Sequence, residues 1–159
     1  NKIFVARDRF GVKPIYYWVS KLGYIAFASE IKQFTVLPGW QPKLNSQRAY
    51  DFLNYAITDH TSETLFSDVY QLRGGELIDT TINNLLNPQN YVEKWYTLTP
   101  GKVNKNYETA CSEFRELFFD AVKLRKHADV LVGTGLSGGI DSSSIVCAIN
   151  EINKKTPAN

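Results

Sequence analysis

Short apolar runs separated by polar turns fill the first third of the chain, which is the pattern of β-strands. Residues 3–7 alternate loosely between apolar and polar positions and end at the turn sequence DRFGVKP, which contains Gly11 and Pro14. Two runs rich in aromatic and β-branched residues follow at 15–20 and 24–29, separated by KLG. Such runs around a short glycine-containing connection predict a β-hairpin.

Two helices are predicted after this hairpin. Helical spacing begins at SEIKQF, where Ser29 can act as the N-cap and Glu30 suits the first turn, and LPGW ends the segment. Ser46 is the expected N-cap of a second helix over residues 47–57. Beyond it the pattern weakens, and we expect a strand around 76–79 and a loop with one helical turn over the Asn-rich residues 81–94.

The clearest helical period runs from Tyr107 to about His127. Its apolar positions follow the i, i+3, i+4, i+7 spacing, and Asn106 is the expected N-cap. Basic residues at 125–127 stand where a helix C-terminus favours cations. The sequence therefore predicts a long amphipathic helix here.

A glycine- and serine-rich loop follows this helix. Residues 129–136 form a short apolar run typical of a buried parallel strand, and residues 142–152 have helical spacing. The sequence SGGID lies between them. A strand, a glycine-rich turn and a helix N-terminus form a common arrangement for holding phosphate, because backbone N–H groups can approach the anion.

The residue types in this loop suit a phosphate with a bound cation. Ser137, Ser142 and Ser143 can add hydroxyl donors, whereas the Asp141 carboxylate would repel phosphate unless Mg²⁺ lay between them. The loop is neither a Walker motif nor GxGxxG. The alternative is an ordinary strand–turn–helix whose serines only cap the helix.

Composition narrows the class of protein. The 159 residues are 43% hydrophobic and 13% aromatic, and 18 basic against 16 acidic residues give a formal charge of +2. This balance indicates neither nucleic acid nor an anionic membrane as a partner, and no membrane span or signal peptide stands out.

Cys111 and Cys147 are expected to be buried thiols, with a disulfide or a nucleophile as alternatives, and we expect a cytoplasmic protein. Because methionine is absent and the opening residues read as a strand, we expect an internal piece of a longer protein.

Several stretches resemble one enzyme family. LSGGIDSS resembles the PP-loop, SGGxDS, of the N-type ATP pyrophosphatases. ARDRFGVKPIYYW and FASEIKQF resemble the last strands of the Ntn-type (class II) glutaminase domain of asparagine synthetases, and ETLFSDVYQLRGGELI and KWYTL resemble the connector that follows it. The chain is thus similar to the glutamine-hydrolysing asparagine synthetases or a close relative. It departs from them at RGGE, at Leu131 and Gly135, and in a longer segment at 79–94.

The resemblance implies a fold and a domain division. The implied fold is an α/β and α+β fragment, in which the C-terminal strands of an Ntn-hydrolase-type sandwich join the first β–loop–α unit of a doubly wound PP-loop domain. Residues 1–87 would end the amidotransferase domain, 88–105 would connect, and 106–159 would begin the asparagine synthase domain.

The resemblance also implies an activity. ATP would activate aspartate as β-aspartyl-AMP, and ammonia from glutamine would displace AMP, with Mg²⁺ at Asp141 and a possible homodimer of the full-length protein. The implied ATP- and pyrophosphate-binding residues are Leu136, Ser137, Gly138, Gly139, Asp141, Ser142 and Ser143. The family's catalytic nucleophile is an N-terminal cysteine, but residue 1 is asparagine, so no catalytic residue is expected in the chain as given.

Other interpretations stay open. A ligase forming a β-lactam or macrolactam ring, or a non-catalytic scaffold, would share these motifs. For Arg7, Asp8, Arg9 and Lys13 we expect a structural role through salt bridges around a turn, rather than a place in an active site. His60 is expected to be a solvated side chain. The aromatic residues of IYYWVS are expected to pack in the core.

Overall fold

The computed structural model describes residues 1–102 and 104–155, and the chain divides into two compact units, Asn1–Pro100 and Gly101–Asn159. The first unit contains six strands, one α-helix and three short 3₁₀ segments. Its strands are β1 (Lys2–Ala6), β2 (Tyr16–Val19), β3 (Ile25–Ala28), β4 (Val69–Gln71), β5 (Glu76–Thr81) and β6 (Val92–Lys94). Its helix is α1 (Ser46–Tyr55), and the 3₁₀ segments are Ile31–Val36, Ile82–Asn84 and Pro88–Tyr91. The second unit contains α2 (Tyr107–Arg125) and α3 (Ile140–Lys155).

Two three-stranded antiparallel sheets form the framework of the first unit. In one, β5 lies between β1 and β6, and in the other β2 lies between β3 and β4. The β2–β3 hairpin is confirmed, with Val19 opposite Ile25 and Gly23 at φ +84° in the connection. Antiparallel pairing of sequence neighbours requires only short turns, which is why this hairpin could be read from the sequence.

Alternation along β2 gives this strand two buried faces. Tyr17 is 1% exposed and packs with Leu72 and Ile78, so its face joins the two sheets in one core. Trp18, on the opposite face, is 6% exposed and packs with Phe34 and Val69 in a second core. The prediction that the aromatic residues of IYYWVS pack in the core is confirmed for both side chains.

The two predicted helices of this unit differ from expectation at their ends. The first is a 3₁₀ segment capped by Glu30 rather than Ser29, because the Gln33 side chain accepts hydrogen bonds from both backbone N–H groups, at 3.2 and 3.1 Å. The cap of α1 is Asn45, whose Oδ1 accepts from the Arg48 N–H at 3.3 Å, whereas Ser46 already lies within the helix. The helix ends earlier than predicted, since Ala56 adopts a left-handed conformation.

Two strands were missed in the sequence. No strand was predicted over residues 69–71, and residues 92–94 were placed in a loop, but they form β4 and β6. Each has three residues, which is too short for alternation to be recognised. Both pair with a longer neighbour, β2 and β5 respectively, so tertiary context decides their conformation.

In the second unit the helices are confirmed and the strand between them is not. Asn106 caps α2 as predicted, with its Oδ1 accepting from the Thr109 N–H at 2.8 Å. The strand predicted over 129–136 is wrong: those residues have no regular secondary structure apart from a bend at 129–130, and Leu131 is 102% exposed. A parallel strand needs a neighbouring strand, and none occurs within 101–102 and 104–155.

The cysteine prediction also fails. Cys111 on α2 and Cys147 on α3 are free thiols, and both are exposed rather than buried. Both thiols were expected to be buried, but the described part of the second unit does not cover them. The fold is a mixture of α-helices and antiparallel sheets, and no described helix is long and apolar enough to cross a membrane.

Candidate functional site

The glycine- and serine-rich loop opens α3. The helix begins at Ile140, so Gly138 and Gly139 immediately precede it and Asp141, Ser142 and Ser143 lie in its first turn. The first N–H groups of an α-helix have no intrahelical acceptor, and the helix dipole adds positive potential at this end. The structure thus confirms a turn leading into a helix, without the strand in front of it.

Two serines hold this loop together. The Ser142 hydroxyl accepts from the Ser137 N–H at 3.3 Å and donates to the Gly139 carbonyl at 3.2 Å. The two serine Oγ atoms lie 3.0 Å apart, within hydrogen-bonding distance. The Ser143 N–H donates to the Gly139 carbonyl at 3.1 Å, which is a normal helical bond. These contacts curl residues 137–142 into a compact turn.

The glycines leave space around this turn. Gly138 adopts φ +83°, a conformation that side-chain-bearing residues rarely adopt, and a Cβ placed there would meet no atom within 4 Å. A Cβ on Gly139 would lie 3.7 Å from the Ser137 Oγ, which is an ordinary contact. Glycine at 138 is therefore required by backbone conformation, and the space beside it is open to a ligand.

The other predicted residues flank the turn without joining its hydrogen bonds. Leu136 is exposed just before it, and the Asp141 carboxylate lies in the first turn of α3 and borders a groove of about 540 Å³ between α2 and α3. No group of three His, Cys, Asp or Glu side chains suited to hold a metal occurs among the described residues. Asp141 would therefore be a single protein ligand, and Mg²⁺ commonly binds one or two carboxylates together with substrate phosphates.

A second polar cluster lies in the first unit, around the turn after β1. The Arg7 guanidinium donates to three backbone carbonyls, those of Lys13 at 2.9 Å, Gly11 at 2.7 Å and Leu72 at 2.5 Å. The Asp8 carboxylate accepts from the N–H groups of Lys13, Val12 and Phe10, at 2.9, 3.0 and 3.2 Å. These hydrogen bonds, above all that from Lys13, lower the pKa of Asp8.

This cluster has a structural role, as expected, but of a different kind. Hydrogen bonds to the backbone replace the predicted salt bridges, and no ion pair involves Arg7, Asp8, Arg9 or Lys13 within residues 1–102 and 104–155. The Arg9 guanidinium lies over the Trp95 and Tyr96 rings, at 5.5 and 5.7 Å from their centroids. The turn is thereby attached to the end of the first unit.

Sequence reasoning missed a charged cluster on α1. Arg48 contacts the Asp51 carboxylate at 3.1 Å and the Glu63 carboxylate at 3.4 Å. The His60 side chain is 37% exposed, as expected for a solvated histidine, but its Nε2 also lies 3.0 Å from Asp51 Oδ2 and 2.7 Å from Arg48 Nη1. The i, i+3 spacing of Arg48 and Asp51 could have predicted their ion pair from the sequence. No sequence pattern indicated that the loop after α1 would bring His60 back to them.

Two protein-family models match consecutive parts of this chain. Residues 1–96 match the family model of a glutamine amidotransferase domain, and residues 113–158 match that of asparagine synthase. The chain belongs to the glutamine amidotransferase domain family. Its resemblance to asparagine synthetases is confirmed, because curated asparagine synthetases match 91% to 94% of its length.

Three relatives illustrate the range of similarity. The glutamine-hydrolysing asparagine synthetase 2 of Bacillus subtilis strain 168 is 33% identical over 91% of this chain. Amidase chry2 of Gibberella zeae is 30% identical over 98%, and a putative asparagine synthetase 2 of Methanocaldococcus jannaschii is 30% identical over 94%. The chain spans 20%, 22% and 28% of these relatives, respectively, consistent with a fragment of a larger protein.

Proposed function

We propose that this chain is part of a carbon–nitrogen ligase that makes asparagine from aspartate, with ATP as the energy source and glutamine as the ammonia donor. The observation that carries the proposal is the Ser137–Ser142 turn at the N-terminus of α3. The two consecutive family matches support it, because they join an amidotransferase domain to an asparagine synthase segment. We further infer that residues 1–87, 88–105 and 106–159 are the amidotransferase end, the connector and the synthase start.

The proposed binding residues are those of the turn. The backbone N–H groups of Gly138 and Gly139 and the Ser143 hydroxyl would donate to the β and γ phosphates of ATP. The Ser137 N–H and the Ser142 hydroxyl would exchange their hydrogen bonds within the turn for bonds to phosphate oxygens. Open space beside Gly138 fits an approaching phosphate. Leu136 would contact the nucleotide beside the turn.

The contribution of this chain to the reaction is electrostatic. As the bond between the α and β phosphates breaks, negative charge grows on the pyrophosphate, and fixed donors on the turn stabilise that charge. When bound, Mg²⁺ would offset the repulsion between the Asp141 carboxylate and the phosphates. The reaction proposed for the whole protein yields AMP through β-aspartyl-AMP, and ammonia from glutamine then completes the amide.

The test is nucleotide binding and turnover by the full-length protein. Calorimetry should detect ATP binding that depends on Mg²⁺, and Asp141→Ala and Gly139→Val should abolish it. Matched controls are Asp120→Ala on α2 and Gly101→Val, where a Cβ meets no atom within 4 Å. Turnover should form AMP and pyrophosphate only when aspartate is present. Binding by Asp141→Ala and Gly139→Val equal to that of the parent would remove the turn from the site.

A second candidate differs only in the acceptor. Two of the similar proteins are described as amidases, Amidase chry2 of Gibberella zeae and Amidase chyE of Penicillium rubens, at 30% and 32% identity. These relatives favour a ligase of the same type acting on another carboxylic acid. Formation of AMP that ignores aspartate but responds to a different carboxylate would select this candidate.

A further inference from the structure

A small cavity lies within the first unit. Its volume is about 160 Å³. Apolar side chains from β2, the first 3₁₀ segment and the loops after α1 form its walls: Tyr16, Ile31, Ile57, Leu65 and Phe66. An apolar cavity of about 150 Å³ can hold a molecule the size of benzene. One six-membered ring therefore fits this space.

Charged residues at the cavity give it an excess of negative charge. The charged lining residues are Arg48, Asp59 and Glu63. The single guanidinium of Arg48 already contacts two carboxylates, those of Asp51 at 3.1 Å and Glu63 at 3.4 Å. Asp59 adds a second carboxylate to the cavity lining beside that of Glu63, so one positive charge faces two negative ones there. A cationic ligand would reduce this imbalance.

The walls suit a cation as well. Tyr16 and Phe66 are aromatic, and the negative face of an aromatic ring attracts ammonium and guanidinium groups. The polar rim is held in place, since Asp59 Oδ1 accepts from the Gln71 amide at 3.1 Å. Thr64 Oγ1 also donates to the carbonyls of Phe66 and Val69, at 3.1 and 3.0 Å.

We propose that this cavity binds a small organic cation, an ammonium or guanidinium group on a compact apolar body of about one ring. Its occupation does not depend on the proposed ligase function, because none of the residues of the α3 turn lines it. Loss of ATP binding and loss of this binding are thus separate outcomes.

Benzylammonium, benzoate and benzyl alcohol are matched probes, because they share a ring and differ mainly in charge. Calorimetry on the full-length protein should show binding of benzylammonium, weaker binding of the alcohol and none of benzoate. Glu63→Gln should weaken benzylammonium by about fivefold and leave the alcohol unchanged. Ile57→Phe should fill the cavity and abolish both, whereas Leu53→Phe, at an exposed position of α1 outside the cavity, should change neither.

Each contrary result rejects a part of the proposal. Equal binding of benzoate and benzylammonium, or no effect of Glu63→Gln, would reject the preference for a cation. Binding that survives in a folded Ile57→Phe variant would place the ligand elsewhere, and absence of binding by all three probes would reject the site. Displacement of benzylammonium by glutamine would assign the cavity to the amidotransferase substrate instead. Thermal unfolding of each variant establishes that it is folded.

Discussion

Gly75 is enclosed by the backbone of Tyr96. The Gly75 carbonyl accepts from the N–H groups of both Trp95 and Tyr96, at 2.9 and 3.2 Å, and the Gly75 N–H donates to the Asp8 carbonyl at 2.9 Å. A Cβ on Gly75 would lie 2.6 Å from the Tyr96 carbonyl oxygen. Gly75 of the RGGE sequence thus lies where three segments of backbone meet.

Substitution of Gly75 should therefore destabilise the first unit strongly. Gly75→Ala combines a φ of +75° with this backbone clash, and we expect a loss of about 3 kcal/mol in the free energy of unfolding. Gly23→Ala is the matched control, because its φ is +84° but its Cβ would meet nothing within 4 Å. Urea unfolding should show a loss of only about 1 kcal/mol for Gly23→Ala. Equal losses would mean that the close approach to Tyr96 contributes nothing.

Arg7→Lys should also be destabilising although it keeps the charge. A lysine ammonium cannot reproduce the planar fork that reaches the carbonyls of Lys13, Gly11 and Leu72, so we expect a loss of about 2 kcal/mol. Arg9→Lys is the control, because an ammonium can still lie over the rings of Trp95 and Tyr96. Urea midpoints of the two variants measure the difference. Unchanged stability of Arg7→Lys would show that the fork is dispensable.

Because its pKa is lowered, Asp8 should make a contribution to the stability of the fold that depends on pH. A carboxylate with a lowered folded-state pKa stabilises the fold above its ordinary value of 3.8, and this contribution is lost as pH falls through the lowered pKa. Asp8→Asn should be less stable than the parent at pH 7, and the gap should close as the pH falls below 3.8. Chemical unfolding at a series of pH values measures the gap, with Asp120→Asn as control. A difference in stability between the parent and Asp8→Asn that does not change with pH would contradict the lowered pKa of Asp8.

At alkaline pH the stability of the first unit should depend on the ionisation of Tyr17. Burial, the largest cause, raises its pKa to about 12, with Tyr70 and Glu76 adding to the shift. Because the folded-state pKa is raised, the stability it contributes is complete below pH 10 and is lost as pH rises toward about 12. Tyr17→Phe should lack this loss, which is on the order of 2 kcal/mol, whereas exposed Tyr107→Phe should behave as the parent. Parallel alkaline unfolding of parent and Tyr17→Phe would refute this.

Removing one hydroxyl should loosen the turn at α3. Ser142→Ala deletes the acceptor of the Ser137 N–H and the contact between the two Oγ atoms. If the turn binds phosphate, the affinity for ATP with Mg²⁺ should fall about tenfold, since a hydrogen bond to a charged group is also lost. Ser144→Ala, at an exposed position of the same helix, should bind as the parent does in calorimetry. An unchanged affinity for Ser142→Ala would exclude its hydroxyl from the site.

The features that the sequence predicted well are local. The β2–β3 hairpin and α2 each follow from spacing and caps within a few residues, and so does the turn before α3. The failures depend on distant partners. β6 is a strand because β5 lies beside it, and residues 129–136 are not a strand because no described residue pairs with them. The pattern of apolar and polar residues along the chain does not show which strands have a partner.

The same distinction applies to the polar clusters. The Ser137–Ser142 turn lies within six consecutive residues, so its composition could be interpreted before its geometry was known. The cluster of Arg48, Asp51 and His60 joins a helix to a later loop, and its members gain meaning only through the fold. The cavity beside it combines segments from Tyr16 to Phe66, a span that no short motif describes.

The position of β6 determines where the two units can be cut apart for separate study. This strand pairs with β5 through Val92, Glu93 and Lys94, and the Trp95 indole N–H beyond it donates to the Arg7 carbonyl at 3.2 Å. Cleavage before Val92 would leave one side of β5 as an unpaired edge, with N–H and C=O groups free to pair with another molecule. A shortened protein of that kind would tend to self-associate, whereas a cut after Tyr96 would leave the edge covered.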